Sequence, residues 1–171
     1  VLIMNTKFKV ITWLAIAISW MGVIFNFSSM DTNESNGKSV KTIDTILEKT
    51  FEITNKVKIT NTDSHSLAIE LSQKLNRPLR KVAHASIYFV LGILLIIFLK
   101  FCHVKKYYLY SLIISFLYAC TDELHQKFVS GRTSSIRDVL IDTTGCIVGL
   151  LLFYFVEKIS RKKEVKEEVV V

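Results

Sequence analysis

Long apolar stretches alternate with polar segments along the 171 residues of this chain. The apolar stretches cover approximately residues 8–27, 82–100, 106–122 and 138–156. Each is close to the roughly 20 residues that a helix needs to cross a bilayer. Because an open sheet would leave backbone groups unsatisfied in lipid, these stretches should be helical. The pattern predicts an all-α polytopic membrane protein with four transmembrane helices.

The basic start and apolar middle of the first stretch are also typical of a cleaved signal peptide. Its apolar region is longer than is usual for such a peptide, and no clear A-x-A-like cleavage site follows. We therefore expect a first helix that is retained in the protein.

A long polar segment, residues 31–80, separates the first two stretches. Apolar residues recur in it at helical spacing in two groups, which are Val40, Ile43, Ile46, Leu47 and Phe51, then Leu67, Ile69, Leu71 and Leu75. Proline disrupts a helix interior, so Pro78 should end the second of these helices. The segment is predicted to hold two short amphipathic helices on the outer membrane surface or over the bundle.

Charge sets the predicted topology. The N-terminus, the turn at 100–106 and the tail together hold ten Lys and Arg, and the other side holds twelve, so the raw counts do not separate the two sides. Most of the twelve lie in one long loop, however, and the positive-inside rule concerns short loops near helix ends. Short cytoplasmic loops are rich in Lys and Arg, so both termini should be cytoplasmic, with residues 31–80 and 122–138 outside. Residues 1–160 should form a single membrane domain, followed by a charged cytoplasmic tail over 161–171.

Composition agrees with this class of protein and excludes others. Half of the residues are hydrophobic, the mean hydropathy is +0.37 and the formal net charge is +7. The basic residues form no stripe with interleaved aromatics, so no nucleic-acid partner is expected. Cys102, Cys120 and Cys146 lack the paired spacing of a metal site and are expected to be small packing residues.

A dense polar cluster follows the third stretch. Asp122, His125 and Gln126 would share one face of a helix, and Glu123 would point about 100° away. Ionisable groups at such a place are functional candidates by default. The single His does not fit the zinc-protease pattern, which has two, although a carboxylate pair with His can bind a cation or move protons. Solvated or salt-bridged charges at a helix end are the alternative.

The next turn and the fourth stretch add further candidates. Arg132 lies within a hydroxyl-rich turn, residues 130–135, whose small side chains can cap the final helix, and Arg137 follows this turn. Both would project near a helix N-terminus, where they can grip an anion or neutralise nearby carboxylates. Asp138 and Asp142 stand one helical turn apart. Gly145 and Gly149 continue that line, and such a small-residue stripe favours close helix packing.

Three residues at the start of the second stretch, Lys81, His84 and Tyr88, share a face and begin on the same predicted side. One bundle can therefore bring the candidate pocket residues together. No catalytic residue, metal site or cofactor is assigned from the sequence. The complete candidate set is Lys81, His84, Tyr88, Asp122, Glu123, His125, Gln126, Arg132, Asp138 and Asp142.

The order of these motifs resembles the VanZ-like family of bacterial membrane proteins. The resemblance rests on Phe27-Ser28-Ser29, on Lys81-x-x-His84-x-x-x-Tyr88-x-x-x-Gly92, on Asp122-Glu123-x-His125-Gln126-x-Phe128-x-x-Gly131-Arg132, and on Asp138-x-x-x-Asp142-x-x-Gly145-x-x-x-Gly149. Met30 stands where the family often has Gln, and Asp142 where it commonly has Asn. The resemblance implies a small multi-helix protein of the bacterial cytoplasmic membrane and a link to teicoplanin-type glycopeptide resistance.

Two functions follow from the residues and the resemblance. The first is an envelope protein whose outward-facing polar pocket binds an anionic lipid, a cell-wall precursor or a glycopeptide antibiotic. The alternative is a membrane enzyme that acts on a lipid-linked phosphate or sugar, using His84 or His125 with Asp122 or Asp138.

Overall fold

The computed structural model describes residues 6–29, 61–129 and 134–170, together with Thr45 and Lys49. Four long helices make up most of these ranges. The helices are α1 (Thr6–Ser29), α2 (Asn61–Phe101), α3 (Tyr107–Gln126) and α4 (Ile136–Val170). Within these ranges the chain forms no strand. The prediction of an all-α protein is confirmed for the described residues.

Within the described parts of the chain, three segments are long and apolar enough to cross a membrane: Thr6–Ser29, Arg80–Phe101 and Ile136–Lys162. Helix α3 has 20 residues but is less apolar, because it carries four tyrosines as well as Asp122 and Glu123. The fourth span, over residues 106–122, therefore stays a prediction.

The expectation that Pro78 ends a helix is wrong. Helix α2 runs without interruption from Asn61 through Pro78 to Phe101. A proline removes one backbone donor and crowds the preceding turn, but hydrogen bonding on both sides can carry a helix past it. The second amphipathic helix predicted in the outer loop is therefore the first part of α2. The helix predicted over residues 40–51 lies outside the described residues, apart from Thr45 and Lys49, which are helical.

The two inner helices of the bundle are α2 and α3. Helix α1 contacts both of them, and so does α4, whereas α1 and α4 make no contact through the parts that the structure describes. The Trp20 indole donates a hydrogen bond of 2.9 Å to the Ile87 carbonyl, and the Tyr118 hydroxyl donates one of 2.6 Å to the Met21 carbonyl. These bonds attach α1 to α2 and α3 in the middle of the bundle.

Helices α2 and α4 form the most extensive contact in the bundle. Gly145 lies against the backbone of Ala85, and Gly149 lies against the Phe89 carbonyl. A side chain at either position would occupy space that the α2 backbone already fills. The glycine stripe therefore fixes how closely these two helices approach and which residues meet between them.

The turn between α2 and α3 is tight. His103 adopts a left-handed backbone angle, φ 57°. The His103 amide donates to the Lys100 carbonyl at 3.0 Å and the Val104 amide donates to the Leu99 carbonyl at 3.1 Å. These two bonds form the Schellman motif that commonly ends a helix. The turn reverses the chain over few residues and sets α3 beside α2.

Candidate functional site

Five polar side chains meet inside the bundle at the end where α1 and α3 finish and α4 begins. We call them the polar cluster: Ser28 from α1, His84 and Tyr88 from α2, Asp122 from α3, and Asp142 from α4. Ser28 and Tyr88 are fully buried, and Asp122 and Asp142 are 3% and 1% exposed. Every helix of the bundle therefore contributes to one buried polar site.

The centre of the polar cluster is a histidine between two carboxylates. Nδ1 of His84 lies 3.7 Å from Oδ1 of Asp142. One side-chain ligand atom from each of His84, Asp122 and Asp142 lies within 4.8 Å of the other two. The Tyr88 hydroxyl is within electrostatic range of both carboxylates. An imidazole and two carboxylates at this spacing can hold a cation or share protons.

Most polar atoms of this cluster lack a hydrogen-bond partner. Ser28 Oγ, Tyr88 Oη, Asp122 Oδ1 and both carboxylate oxygens of Asp142 make no hydrogen bond to a described residue. Ser28 lies close to Asp122 but without aligned geometry. Burying a polar group without a partner costs on the order of 1–3 kcal/mol, and more when the group is charged. Such a concentration of unsatisfied atoms indicates a site that receives a ligand, an ion or protons.

Gln126 supports the cluster from α3. Its side-chain amide donates to Oδ2 of Asp122 at 3.4 Å, one helical turn away, and both residues are buried. This bond satisfies one oxygen of Asp122 and leaves the other facing the cluster. Gln126 therefore orients a cluster residue rather than belonging to the centre of the site.

His125 points away from the cluster. Its Nε2 lies 3.1 Å from the Ser29 hydroxyl, and its ring stacks on Phe25 with ring centroids 4.4 Å apart. Both partners belong to α1, so His125 joins α3 to α1. Of the two histidines in the predicted pocket, only His84 lies among the buried carboxylates.

Glu123 stabilises the start of α4. Its Oε2 accepts a hydrogen bond of 2.8 Å from the Ser135 amide. The Ser135 hydroxyl in turn accepts from the Arg137 amide at 3.2 Å, which caps the helix as the hydroxyl-rich turn predicts. Glu123 is buried and has a clear structural partner. It positions α4, and therefore Asp142, relative to α3.

At this end of the bundle, two pairs of ionisable residues join α2 to α4, one partly exposed and the next inside the cluster. Lys81 Nζ lies 3.1 Å from Asp138 Oδ1, with side chains 46% and 29% exposed. One turn further inside, His84 faces Asp142. The contact of Gly145 with the Ala85 backbone comes next and closes the gap between the helices. The Lys81–Asp138 pair is thus partly exposed, and close helix packing lies on the inner side of the His84–Asp142 contact.

Four described basic residues lie at the same end of the bundle as the polar cluster. We call this group the basic rim; its described members are Arg80, Lys81, Lys127 and Arg137, of which Arg80 is half-buried and the others are exposed. Arg132, the remaining pocket candidate, lies outside the described residues.

Ser28 is the cluster residue that the pocket prediction missed. It lies in the last turn of α1, four residues after the buried Ile24. A polar residue on the buried side of an apolar span is the signal that could have identified it. The sequence alone does not show which side of α1 faces α3, so Ser28 could be placed in the cluster only once that contact was known.

The VanZ/LLP1 family model matches residues 13–157 of the chain. This range includes all five residues of the polar cluster and most of the described bundle. Neither curated proteins nor solved structures yielded a match.

Proposed function

We propose a function that proceeds from one established point, which is that this chain belongs to the VanZ/LLP1 family. The protein is an integral membrane protein of the bacterial cell envelope with both termini in the cytoplasm. At its outer face it binds the anionic head of a cell-wall precursor lipid or another anionic lipid. By this binding it contributes to teicoplanin-type glycopeptide resistance.

The observation that carries this proposal is that the basic rim lies at the same end of the bundle as the buried carboxylates of the polar cluster. The basic rim would attract a phosphate group, and Arg137 lies in the first turn of α4, where amides at a helix N-terminus also favour anions. Behind the rim, the unsatisfied oxygens of Asp122 and Asp142 require hydrogen-bond donors or a cation. A lipid-linked sugar phosphate supplies a phosphate for the rim and hydroxyl donors for the interior.

The combination of a basic rim with buried, unsatisfied carboxylate oxygens favours a glycosylated precursor over a simple anionic phospholipid. A phosphatidylglycerol head has an anion but few donors, so it would satisfy the rim and leave most of the interior unpaired. A glycopeptide antibiotic offers many donors but is too large to pass far between α2 and α4 where Gly145 packs on Ala85. The antibiotic would therefore contact the rim only.

Arg137→Gln is expected to weaken binding of a polyprenyl-diphosphate sugar roughly tenfold, because a charge-assisted bond to phosphate is worth about 1.5 kcal/mol. The full-length protein in nanodiscs would be titrated with the lipid, and affinity measured by native mass spectrometry. Lys105→Gln is the matched control, since Lys105 is exposed at the opposite end of the bundle. Arg132→Ala should reduce affinity in the same direction as Arg137→Gln.

Equal affinities of wild type, Arg137→Gln and Arg132→Ala would contradict the proposal. Cells that produce the same variants at equal levels provide the second measurement. Teicoplanin protection should fall in Arg137→Gln and Asp122→Asn cells and persist in Lys105→Gln cells. Protection that survives in every variant would separate this protein from the resistance trait.

A second function, catalysis on a lipid-linked phosphate or sugar, is favoured by one specific observation. His84 stands between two buried carboxylates, which can orient it as a general base. Turnover of a labelled polyprenyl diphosphate by the purified protein should then disappear in His84→Gln. His125→Gln should retain activity, because that histidine pairs with α1. If the wild type turns over none of the precursor lipids with any divalent metal tested, catalysis is rejected and binding remains as the proposed function.

A further inference from the structure

We propose that His84, Asp122 and Asp142 form a resident site for a divalent transition-metal ion of the zinc or manganese type. The inference goes beyond the proposed function, because a resident ion requires no lipid ligand. One ligand atom from each of the three residues lies within 4.8 Å of the other two. The three residues come from three different helices, so the site exists only in the assembled bundle.

Charge balance is the first argument. Asp122 and Asp142 are almost completely removed from solvent, and among the described residues the only ion pair of either one is the contact between Asp142 and His84. Two carboxylates near each other in a low-dielectric interior are strongly unfavourable unless they are neutralised. A divalent cation with a neutral imidazole cancels both charges. A protonated His84 would cancel only one.

The unsatisfied neighbours are the second, independent argument. Tyr88 and Ser28 are fully buried, and neither hydroxyl has a hydrogen-bond partner among the described residues. The Tyr88 hydroxyl is within electrostatic range of both carboxylates, and Ser28 lies close to Asp122. Oxygen atoms at these places can complete a coordination shell or hold a metal-bound water.

Geometry and donor type narrow the identity of the ion. Zinc binds His nitrogen and carboxylate oxygen at about 2.0–2.2 Å, which places neighbouring ligand atoms about 3–4 Å apart. The 4.8 Å limit in this cluster is within a small side-chain rotation of that spacing. The imidazole favours zinc over magnesium or calcium, which prefer oxygen alone, and the two carboxylates are ligands that also suit manganese. Gln126, which bonds Asp122, is the supporting residue that such ligands usually have.

The test uses the full-length protein, purified in detergent, stripped with a chelator and then dialysed against Zn²⁺, Mn²⁺ or Mg²⁺ alone. Bound metal is measured by mass spectrometry, and the thermal unfolding midpoint is recorded with and without each ion. The wild type should bind about one Zn²⁺ or Mn²⁺ per chain and unfold at a higher temperature, because an ion that binds only the folded state stabilises it. Mg²⁺ should bind more weakly.

Asp142→Asn and His84→Gln should each lose at least tenfold in metal affinity and lose the metal-dependent rise in unfolding temperature. His125→Gln is the matched control, since that histidine lies outside the cluster and should leave both readings unchanged. Co²⁺ in place of Zn²⁺ adds a spectroscopic reading, because its visible absorption reports on mixed nitrogen and oxygen ligands in the wild type alone. That reading does not depend on whether a variant folds.

Three outcomes would overturn the proposal: no stoichiometric metal in the wild type, equal binding by Asp142→Asn, or Co²⁺ without a ligand-field spectrum. If the carboxyls are instead neutralised by protons, the wild type will bind no metal and Asp142→Asn will be as stable as the wild type. Lipid binding measured in the presence of chelator keeps this result separate from that of the proposed function.

Discussion

Gly145→Ala is expected to lower the thermal unfolding midpoint more than an alanine at any other glycine whose surroundings the structure describes. A Cβ at this position would overlap the Ala85 carbonyl group and come within 2.8 Å of the Ala85 Cα. Backbone atoms cannot turn aside as a side chain can, so α2 and α4 would have to separate. Overpacking of this kind costs about 1–3 kcal/mol, occasionally more, and we expect the upper end.

The four described glycines provide a graded series for this measurement. Gly149→Ala would meet the Phe89 carbonyl and should rank second. Gly92→Ala would come within 2.9 Å of the Cys146 sulfur, which can rotate, so its effect should be smaller. Gly22→Ala meets nothing within 4 Å and should be neutral or slightly stabilising, because alanine favours a helix over glycine by roughly 1 kcal/mol.

Unfolding midpoints of the four variants in one detergent, at equal protein concentration, test the order. A midpoint for Gly145→Ala equal to that of Gly22→Ala would show that α2 and α4 do not pack through this surface. Asp142 lies one turn from Gly145 on α4, so Gly145→Ala should also weaken the metal-dependent stabilisation. That second effect connects the packing of the helices to the geometry of the cluster.

The helical stretches were predictable because lipid enforces a simple rule on sequence. Apolar runs of sufficient length must be helices, and the starts of α3 and α4 agree with the predicted bounds within two residues. Pro78 was misread because a proline signals a break only statistically. Its actual effect depends on whether the flanking turns remain bonded, and that depends on contacts distant in sequence.

The polar cluster was only partly predictable. Helical periodicity placed His84 with Tyr88, and Asp122 with Gln126, because each pair lies on one helix. It could not select His84 over His125, since that choice depends on how α3 is rotated against α1 and α2. The Gly145 contact with Ala85 sets the register of α4 against α2, and that register is what places Asp142 opposite His84.

Helix packing also explains why the site lies at only one end of the bundle. At the cluster end, α2 and α4 are joined by the exposed Lys81–Asp138 pair and the His84–Asp142 contact. At the opposite end a single carboxylate, Glu157 of α4, joins α2, α3 and α4. The helices are therefore held together far from the site, and any opening that admits a ligand would occur at the cluster end.

Glu157→Ala is expected to be the most destabilising single change at that opposite end. Glu157 Oε1 accepts bonds from Lys100 at 2.7 Å and from Arg161 at 2.8 Å, while Oε2 accepts from the hydroxyls of Tyr108 at 2.8 Å and Tyr107 at 3.1 Å. Its side chain is only 14% exposed. Removing one acceptor would leave several donors unpaired, which should cost about 2–3 kcal/mol.

Glu157→Gln separates charge from hydrogen bonding at this junction. The amide oxygen can still accept from one tyrosine, but the attraction to Lys100 is lost, so this variant should fall between the wild type and Glu157→Ala. Arg161→Gln is the control, because its side chain is 71% exposed and an exposed pair within one helix contributes little. Unfolding midpoints measured in detergent at low and high salt would separate the contribution of charge from that of hydrogen bonding.

If Glu157→Ala unfolds at the same temperature as Arg161→Gln, the three helices are not held together by this carboxylate. In that case the Schellman turn between α2 and α3, rather than Glu157, would hold the helices together at this end of the bundle.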